Sequence, residues 1–300
     1  MKPAPFAYVR ARSLDEALGC LVADPEAKIL AGGQSLVPMM NMRLARPSTL
    51  VDLNAVAELS GVDAAADGGL AIGALTRHTD LVTSPLVRER APLLATAAAH
   101  IGHRAIRNRG TLGGSLAHAD PAAELPAAVL ALGATLVAAG PGGRRRIAAD
   151  DFFLGLFATA LAADEILVAV ETPPHRDAAW GFAEVARRAG DFAIAGAAVA
   201  AIPGDVGRSA RVRLVAFGVD DRPIRLTAAE IHLGDPALTP DAAAAAGAAA
   251  AGCCHPAADV HASAEYRRHL VSVLTEQVVR EAAGRRAARR EGESRWSQSP

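Results

Sequence analysis

The sequence contains little cysteine: only Cys20 and the adjacent pair Cys253 and Cys254 occur among 300 residues. There is no C-x-x-C pair and no spaced set, so the chain lacks the four thiolates that a plain iron–sulfur cluster needs. A disulfide framework is equally unsupported. This cysteine usage predicts a reducing, cytoplasmic environment.

Long apolar runs are also missing. The N-terminus, MKPAPFAYVR, has no apolar segment of the kind found in export signals. The longest uncharged apolar stretch, residues 125–140, is interrupted by Pro126 and Gly133 and is shorter than the ~20 residues that a spanning helix needs. We therefore predict no membrane span.

Neither charge sign is in excess, since 31 Lys and Arg residues stand against 32 Asp and Glu residues. This balance does not favour nucleic-acid binding, and a small-molecule or protein partner is expected instead. His100 and His103 have no carboxylate or cysteine at ligand spacing, which favours surface or interface histidines. The run Cys253-Cys254-His255 is predicted to pack, and no Ser-His-Asp or Cys-His nucleophile arrangement is evident.

Apolar residues, by contrast, make up 51% of the chain, enough for a sizeable core and for two domains. In the first half, short strands alternate with helices, and Ser13 with Glu16 forms a capping box. Strands are predicted at 27–32, 49–53, 70–74, 134–139 and 165–174, and further helices are predicted to open at Thr76, Pro92 and Pro121.

The pattern changes after Pro173 and Pro174, which mark the predicted boundary of the first domain. That domain is assigned to 1–175, with subdomains at about 1–54 and 55–175. Longer segments follow, which are typical of antiparallel strands, and then alanine-rich helices. The second domain is predicted at 176–287, with turns at Gly190 and 203–207, helices at 238–251 and from Ser263, and a polar tail from Arg285 that is frayed or disordered, assigned to 288–300.

Two glycine pairs are the most informative local feature. One lies in AGGQSLVPMMNMR (31–43) and the other in GTLGGSLAHADPAAELP (110–126), and each is followed by a hydroxyl and a helix-opening sequence. Glycine lets the backbone approach a diphosphate closely, and a helix N-terminus adds N–H donors and its dipole. Neither pair has Rossmann or P-loop spacing. Together they are predicted to hold one long ligand from two sides.

Polar side chains near the two pairs extend this prediction. Ser35, Thr111 and Ser115 offer hydroxyls and Gln34 an amide, whereas Asp120 is suited to accept a hydrogen bond from a sugar hydroxyl. A single Gly-Gly turn is usually only a tight connection. The prediction of a binding site therefore depends on both turns and on Asp120 together.

At these residues the sequence resembles a known family. Four segments carry the likeness, in order from about Pro5 to about Ala287: AGGQSLVPMMNMRLARPSTLVDLN, IRNRGTLGGSLAHADPAAELPA, RRAGDFAIAGAA and AEYRRHLVSVL. They closely resemble the FAD-binding medium subunit of molybdenum hydroxylases, the group of aerobic carbon monoxide dehydrogenase, xanthine dehydrogenase and N-heterocycle dehydrogenases. The implied fold is α+β: a vanillyl-alcohol-oxidase-type FAD domain of two small α/β subdomains, then a domain with a three-stranded antiparallel sheet and helices.

The resemblance also implies which residues contact FAD. The glycine turns would hold the diphosphate and ribityl parts, Lys28 would lie near the adenosine end and Leu161 near the isoalloxazine. Phe192 stands where the family often has tyrosine and would lie against the flavin ring. No covalent attachment motif is evident, so the FAD is expected to be noncovalent. The complete set is Lys28, Leu30, Ala31, Gly32, Gly33, Gln34, Ser35, Leu36, Ile101, Thr111, Leu112, Gly113, Gly114, Ser115, His118, Asp120, Leu161 and Phe192.

The implied activity is electron transfer within an oxidoreductase. Substrate is hydroxylated at a molybdopterin centre on a large subunit, and electrons pass through two [2Fe-2S] clusters on a small subunit to FAD on this chain and then to an external acceptor. Because this chain has three cysteines, the clusters are expected on a partner. The implied assembly is a dimer of heterotrimers.

The residues themselves leave two other functions open. One is a stand-alone flavoprotein oxidase or reductase of the same FAD fold, which needs its own substrate pocket with a base. The other is a non-catalytic nucleotide-binding assembly module, which holds its ligand without redox chemistry. Copurification of FAD with iron and molybdenum subunits distinguishes electron transfer from both.

Overall fold

The computed structural model describes residues 1–174, 178–202, 211–234 and 238–297. Within them, sheets of three, five and four strands and one two-stranded hairpin are formed. The predicted α+β class is confirmed. The turn predicted at 203–207 lies outside the described residues.

The N-terminal sheet is parallel, with β3 between β1 and β2. Ser13 caps the first helix as predicted, because its hydroxyl accepts a hydrogen bond from the Glu16 N–H at 3.1 Å. Since the strands run in the same direction, the turn after β2 and the residues after β3 meet at one edge of the sheet. The elements are β1 (Ala7–Arg10), α1 (Leu14–Ala23), β2 (Lys28–Leu30), α2 (Leu36–Asn41) and β3 (Thr49–Asp52).

The second sheet is antiparallel. Its strands lie in the order β4 (Val62–Ala64), β5 (Leu70–Gly73), β10 (Ile166–Thr172), β6 (Thr135–Gly140) and β7 (Gly143–Ala148). Its strands match the predicted strands at 70–74, 134–139 and 165–174, and most of its helices lie between β5 and β6 in the sequence. The elements are β4 (Val62–Ala64), β5 (Leu70–Gly73), α3 (His78–Thr83), α4 (Pro85–Arg90), α5 (Pro92–His100), α6 (Arg104–Arg107), α7 (Leu112–His118), α8 (Glu124–Leu132), β6 (Thr135–Gly140), β7 (Gly143–Ala148), α9 (Ala149–Phe152), β8 (Phe153–Gly155), β9 (Ala158–Thr159) and β10 (Ile166–Thr172).

Two helices begin later than predicted. α3 begins two residues after Thr76, whose hydroxyl donates to the Gly61 carbonyl at 2.9 Å and is not used as a cap. α8 begins at Glu124 rather than Pro121. Here the Asp120 carboxylate accepts a hydrogen bond from the Ala122 N–H at 2.9 Å, which stabilises a turn before the helix.

The C-terminal sheet contains the three predicted antiparallel strands and a two-residue fourth strand at its edge. β12 is almost entirely buried, because α5 and α8 cover one face of the sheet and α12 the other. The elements are β11 (Ala179–Ala186), β12 (Ala193–Ile202), β13 (Arg211–Phe217), β14 (Ile224–Arg225), α10 (Thr227–Glu230), α11 (Pro240–Ala250) and α12 (Ala264–Ser297).

The last helix continues to Ser297, whereas the sequence favoured a frayed tail from Arg285. Alanine, arginine and glutamate are strong helix formers, which accounts for the difference. Arg285 itself is anchored: its guanidinium lies 3.7 Å from the Trp180 ring centroid and donates to the Trp180 carbonyl at 2.6 Å.

The apolar cores connect the three sheets. Val137 and Val168 of the second sheet pack with Val51 of the first, and Phe182 and Phe217 of the third enter the core of the second. No helix among the described residues is long and apolar enough to cross a membrane.

Candidate functional site

The two glycine segments, far apart in sequence, touch each other. A Cβ on Gly32 would lie 2.3 Å from the Arg109 carbonyl oxygen and 2.8 Å from the Gly110 Cα. Only a glycine permits this approach, because a Cβ at such distances requires the backbone to move. Gly32 is therefore the point at which the first turn contacts the loop before the second glycine pair.

The first turn presents unused backbone donors. Gly33 has a φ of 71°, in the left-handed region that favours glycine. Among the described contacts, the N–H groups of Gln34, Ser35 and Leu36 have no protein acceptor. These groups stand at the start of α2, where N–H groups lack helical partners and are suited to bind an anion.

A cavity of about 420 Å³ opens beside this turn. Five predicted residues line it, from Leu30 to Gln34, and so do four polar residues that the sequence reasoning missed: Asn41, Asp52, Asn54 and Arg109. Asp52 and Asn54 could have been found from their position at and just after the end of β3, at the sheet edge where β2 also ends. The full lining is Leu30, Ala31, Gly32, Gly33, Gln34, Val37, Pro38, Asn41, Asp52, Asn54 and Arg109.

The second glycine pair differs from its prediction, because it lies inside α7 and not in a turn before it. Thr111 begins the helix, and its hydroxyl accepts a hydrogen bond from the Gly114 N–H at 3.1 Å. The N–H groups of Leu112 and Gly113 donate to the carbonyls of segment 74–76. The N–H groups of the second pair are thus used in hydrogen bonds within the protein, and Leu112 is fully buried.

The packing of α7 explains its first glycine. A Cβ on Gly113 would lie 2.5 Å from the Ala74 Cβ, so this glycine brings the helix against the end of β5. Gly114 and Ser115 are only partly buried, and a Cβ on Gly114 would lie 3.8 Å from the Ala31 Cβ. This side of α7 therefore faces the first turn.

Three further predicted residues lie at or beyond the end of α7. The His118 ring lies 5.0 Å from the exposed ring of Phe157, and burial lowers the pKa of His118 although Asp120 opposes the shift. Asp120 uses Oδ1 to bind the Ala122 N–H. Leu161 packs on the edge of the second core.

The other predicted residues lie farther along the surface. Lys28 is exposed at the start of β2, one strand length before the first turn, and is not among the cavity residues. Phe192 is 66% exposed, so it is not a core aromatic. A Cβ on Gly190 would lie 2.8 Å from the Gly102 carbonyl, so the turn that carries Phe192 packs beside Ile101.

The charges around the cavity are of both signs. Burial raises the pKa of Asp52, but hydrogen bonds from Tyr8 and Asn54 outweigh it and leave a net decrease. Burial and the neighbouring Arg109 lower the pKa of the Arg77 guanidinium, which stays a cation because arginine titrates far above neutral pH. Arg109 thus lines the cavity as a cation, and Arg77 contacts the Arg109 carbonyl.

A buried, neutral histidine contacts the second glycine segment through the backbone at the start of α7. His78 is 5% exposed, and its burial lowers its pKa to about 4. Its Nε2 lies 2.9 Å from the Thr111 carbonyl, which can only accept, so Nε2 carries the proton. His78 therefore holds the peptide at the start of α7.

Two carboxyl groups meet in the packing between α8 and the third sheet. Burial, together with the nearby carboxyl of Glu184 on β11, raises the pKa of Glu124 to about 8. Burial likewise raises the pKa of Glu184, whose Oε2 has no hydrogen-bond partner among the described residues. Glu124 is therefore protonated at neutral pH.

The donors, the cavity and the arginines suit an anionic dinucleotide. Among the described residues, no group of three or more His, Cys, Asp or Glu side chains is arranged to hold a metal ion. His100 packs on the ring of Phe182 at 4.9 Å, and Cys254 is a buried free thiol.

The chain matches two protein families over almost its whole length. Residues 4–175 match the family described as the FAD binding domain in molybdopterin dehydrogenase. Residues 180–282 match the CO dehydrogenase flavoprotein C-terminal domain. These matches confirm the resemblance found in the sequence and the FAD-binding character of the first half.

Similar proteins cover the same length. The 6-hydroxypseudooxynicotine dehydrogenase complex subunit alpha of Paenarthrobacter nicotinovorans is 43% identical over 95% of this chain and 97% of its own. The nicotine 6-hydroxylase medium subunit of that organism is 42% identical, over 95% and 100%. The carbon monoxide dehydrogenase structure from Hydrogenophaga pseudoflava, which lacks the Mo-pyranopterin moiety of its cofactor, superimposes with a TM-score of 0.90 at 38% identity, covering 95% of this chain and 99% of that one.

Proposed function

The chain belongs to the family of FAD-binding medium subunits of molybdenum hydroxylases, and from this premise we propose that its two glycine segments hold one FAD noncovalently for electron transfer from an iron–sulfur partner. The observation that carries the proposal is the contact of Gly32 with Arg109 and Gly110 beside the cavity. This contact joins the two segments into one cradle.

Each part of the cradle has its own task in this proposal. The unused N–H groups of Gln34, Ser35 and Leu36 bind the diphosphate, and Arg109 balances its charge. Asp120 accepts a hydrogen bond from a sugar hydroxyl through its second carboxylate oxygen. When bound, FAD would supply the redox chemistry for the electrons that the subunit transfers.

The remaining predicted residues complete the site. Lys28 serves the adenosine end. The partly exposed Gly114 and Ser115 of α7, with the buried Thr111 at its start, serve the ribityl chain. Ile101, His118, Leu161 and Phe192 would contact the isoalloxazine ring, and Leu112 and Gly113 would act only by shaping α7.

We assign the electron donors to other subunits. The chain's three cysteines are free and separated between the first helix and residues 253–254, so they cannot bind an iron–sulfur cluster. The proposed partners are an iron–sulfur small subunit and a molybdopterin large subunit, as a dimer of heterotrimers in the cytoplasm. Relatives named as the alpha subunit of a dehydrogenase complex and as the medium subunit of a hydroxylase support the presence of partner subunits.

The proposed domain limits are 1–175, with subdomains at about 1–54 and 55–175, and 176–287. The ends of the two family matches, at residues 175 and 180, support the boundary between them.

Copurification tests the proposal without knowledge of the substrate. The chain is expressed with an affinity tag together with its genomic neighbours, and flavin, iron and molybdenum are measured in the purified material. We expect one FAD and about four iron atoms, from two [2Fe-2S] clusters, for each molybdenum. FAD without either metal would support a stand-alone flavoprotein, and a colourless chain would contradict FAD binding altogether.

A further inference from the structure

One arginine side chain connects the two glycine segments. Arg77 precedes α3, and its Nη1 donates to the Arg109 carbonyl at 2.5 Å. Its Nη2 donates to Asn54 Oδ1 at 2.6 Å, and Asn54 Nδ2 donates in turn to the Ala31 carbonyl at 2.9 Å. A continuous chain of hydrogen bonds therefore runs from the first glycine turn to the loop before the second pair.

The middle of this chain is itself held in place. Asn54 is fixed by Asp52, whose Oδ1 accepts from the Asn54 backbone N–H at 2.8 Å. Asp52 is fixed by the Tyr8 hydroxyl at 2.6 Å. Arg77 is half-buried and its backbone forms an antiparallel bridge with Thr111. Asn54 and Arg77 are therefore each held by further contacts within the protein.

We infer that Arg77 and Asn54 are positioning residues that hold the two glycine segments at the spacing FAD requires, before FAD binds. The inference rests on the function proposed above. The planar guanidinium donates to two acceptors at once, which an ammonium on a flexible stem does not reproduce. A cradle fixed in advance loses less freedom on binding, and affinity rises accordingly.

The connection also occupies two carbonyl oxygens. The Ala31 and Arg109 carbonyls accept the terminal hydrogen bonds, so their partial negative charge is balanced within the protein. The backbone near a diphosphate is thereby left with its N–H donors as its main polar groups. Loss of the guanidinium leaves the Arg109 carbonyl without this donor and leaves Asn54, which binds the Ala31 carbonyl, without its arginine partner.

The test measures the FAD affinity of the full-length apoprotein by quenching of flavin fluorescence. We expect Arg77→Lys and Asn54→Ala each to weaken binding about 10- to 100-fold, from the loss of charged or paired hydrogen bonds. The double variant should be weakened by less than the product of the two single effects. Arg88→Lys is the control, since Arg88 donates to the Val82 carbonyl and touches neither segment, and it should stay within twofold of wild type.

Chemical rescue separates positioning from general destabilisation. Millimolar guanidinium should restore part of the FAD affinity of Arg77→Ala, whereas sodium chloride at equal ionic strength should not. Amide hydrogen exchange without FAD should be faster in Arg77→Lys than in wild type at 31–36 and 109–115, with the rest of the chain unchanged.

The outcomes distinguish this inference from the function on which it rests. A wild-type chain that binds no FAD overturns the proposed function, and the positioning role with it. A wild-type chain that binds FAD, with Arg77→Lys equally tight and equally protected from exchange, overturns the positioning role alone.

Discussion

At the scale of single residues, Gly32 is the position where the cradle tolerates least change. In Gly32→Ala, the new Cβ meets the Arg109 carbonyl at 2.3 Å, so the two segments must separate at a cost of about 1–3 kcal/mol. We expect a folded chain whose FAD affinity falls at least about tenfold. Equilibrium titration with FAD measures this. Gly19→Ala is the control, because a Cβ there meets nothing within 4 Å, and equal losses in both variants would refute the packing argument.

The buried carboxyl of Glu124 predicts a pH dependence of stability. Its pKa is raised to about 8, so the folded chain keeps a proton that the unfolded chain releases near its ordinary pKa. The stability that this proton supports is present at low pH and is lost as pH rises from about 4.5 to about 8. The glutamine side chain of Glu124→Gln does not ionise, so this variant keeps that stability and should be about 2–4 kcal/mol more stable than wild type at pH 8.

Thermal melts from pH 5 to pH 9 check this prediction. The advantage of Glu124→Gln should shrink toward pH 5, where the wild-type carboxyl is protonated in most of the folded and part of the unfolded chains. Glu89→Gln, at an exposed position on α4, should show no such trend. A constant difference across the range would mean that Glu124 is ionised in the folded chain.

Single residues also show where sequence reasoning stops. Gly33 and Asp120 could be proposed from the local sequence. Gly33 favours a left-handed φ, and Asp120 favours a turn after α7, and both depend mainly on neighbouring residues. Arg77 and Asn54 could not, since nothing near either residue indicates that they share a hydrogen bond. Their role follows from a long-range hydrogen bond between the residue before α3 and a residue after β3.

At the scale of elements, the cap of α7 connects stability with binding. The Thr111 hydroxyl accepts a hydrogen bond from the Gly114 N–H, so Thr111→Val should cost about 1 kcal/mol and also weaken FAD binding by loosening α7. Thr239→Val is the matched control, because Thr239 caps α11 through the Ala242 N–H in the same way. Both variants should melt earlier, and only the first should bind FAD more weakly. Equal FAD affinity in Thr111→Val and Thr239→Val would show that the start of α7 does not affect FAD binding.

The elements that were predictable share a strong local signal. The β-strands at 28–30, 49–52 and 166–172 are short apolar runs bounded by polar or glycine residues, and α11 opens with a Thr-Pro cap. The second glycine pair failed as a turn because its surroundings decide its conformation: Thr111 starts the helix before it. The start of α8 was misplaced because Asp120 stabilises a turn that Pro121 alone does not specify.

At the scale of the whole molecule, the predicted domains share their packing. Phe182 and Phe217 reach from the third sheet into the second core, where their rings stack 5.6 Å apart. The change of pattern after Pro174 was visible in the sequence, but this shared core was not, because periodicity does not report which faces meet. Movement of one domain would therefore disturb the core on which α7 rests.

The flavin content of the purified chain before and after acid precipitation tests whether the two glycine segments hold FAD without a covalent bond. Absorbance of the native protein should give one FAD per chain, because both glycine segments form one cradle. After precipitation, the yellow colour should appear in the supernatant, since no covalent bond holds the cofactor. A colourless native chain would contradict the cradle, and colour that stays in the pellet would contradict noncovalent binding.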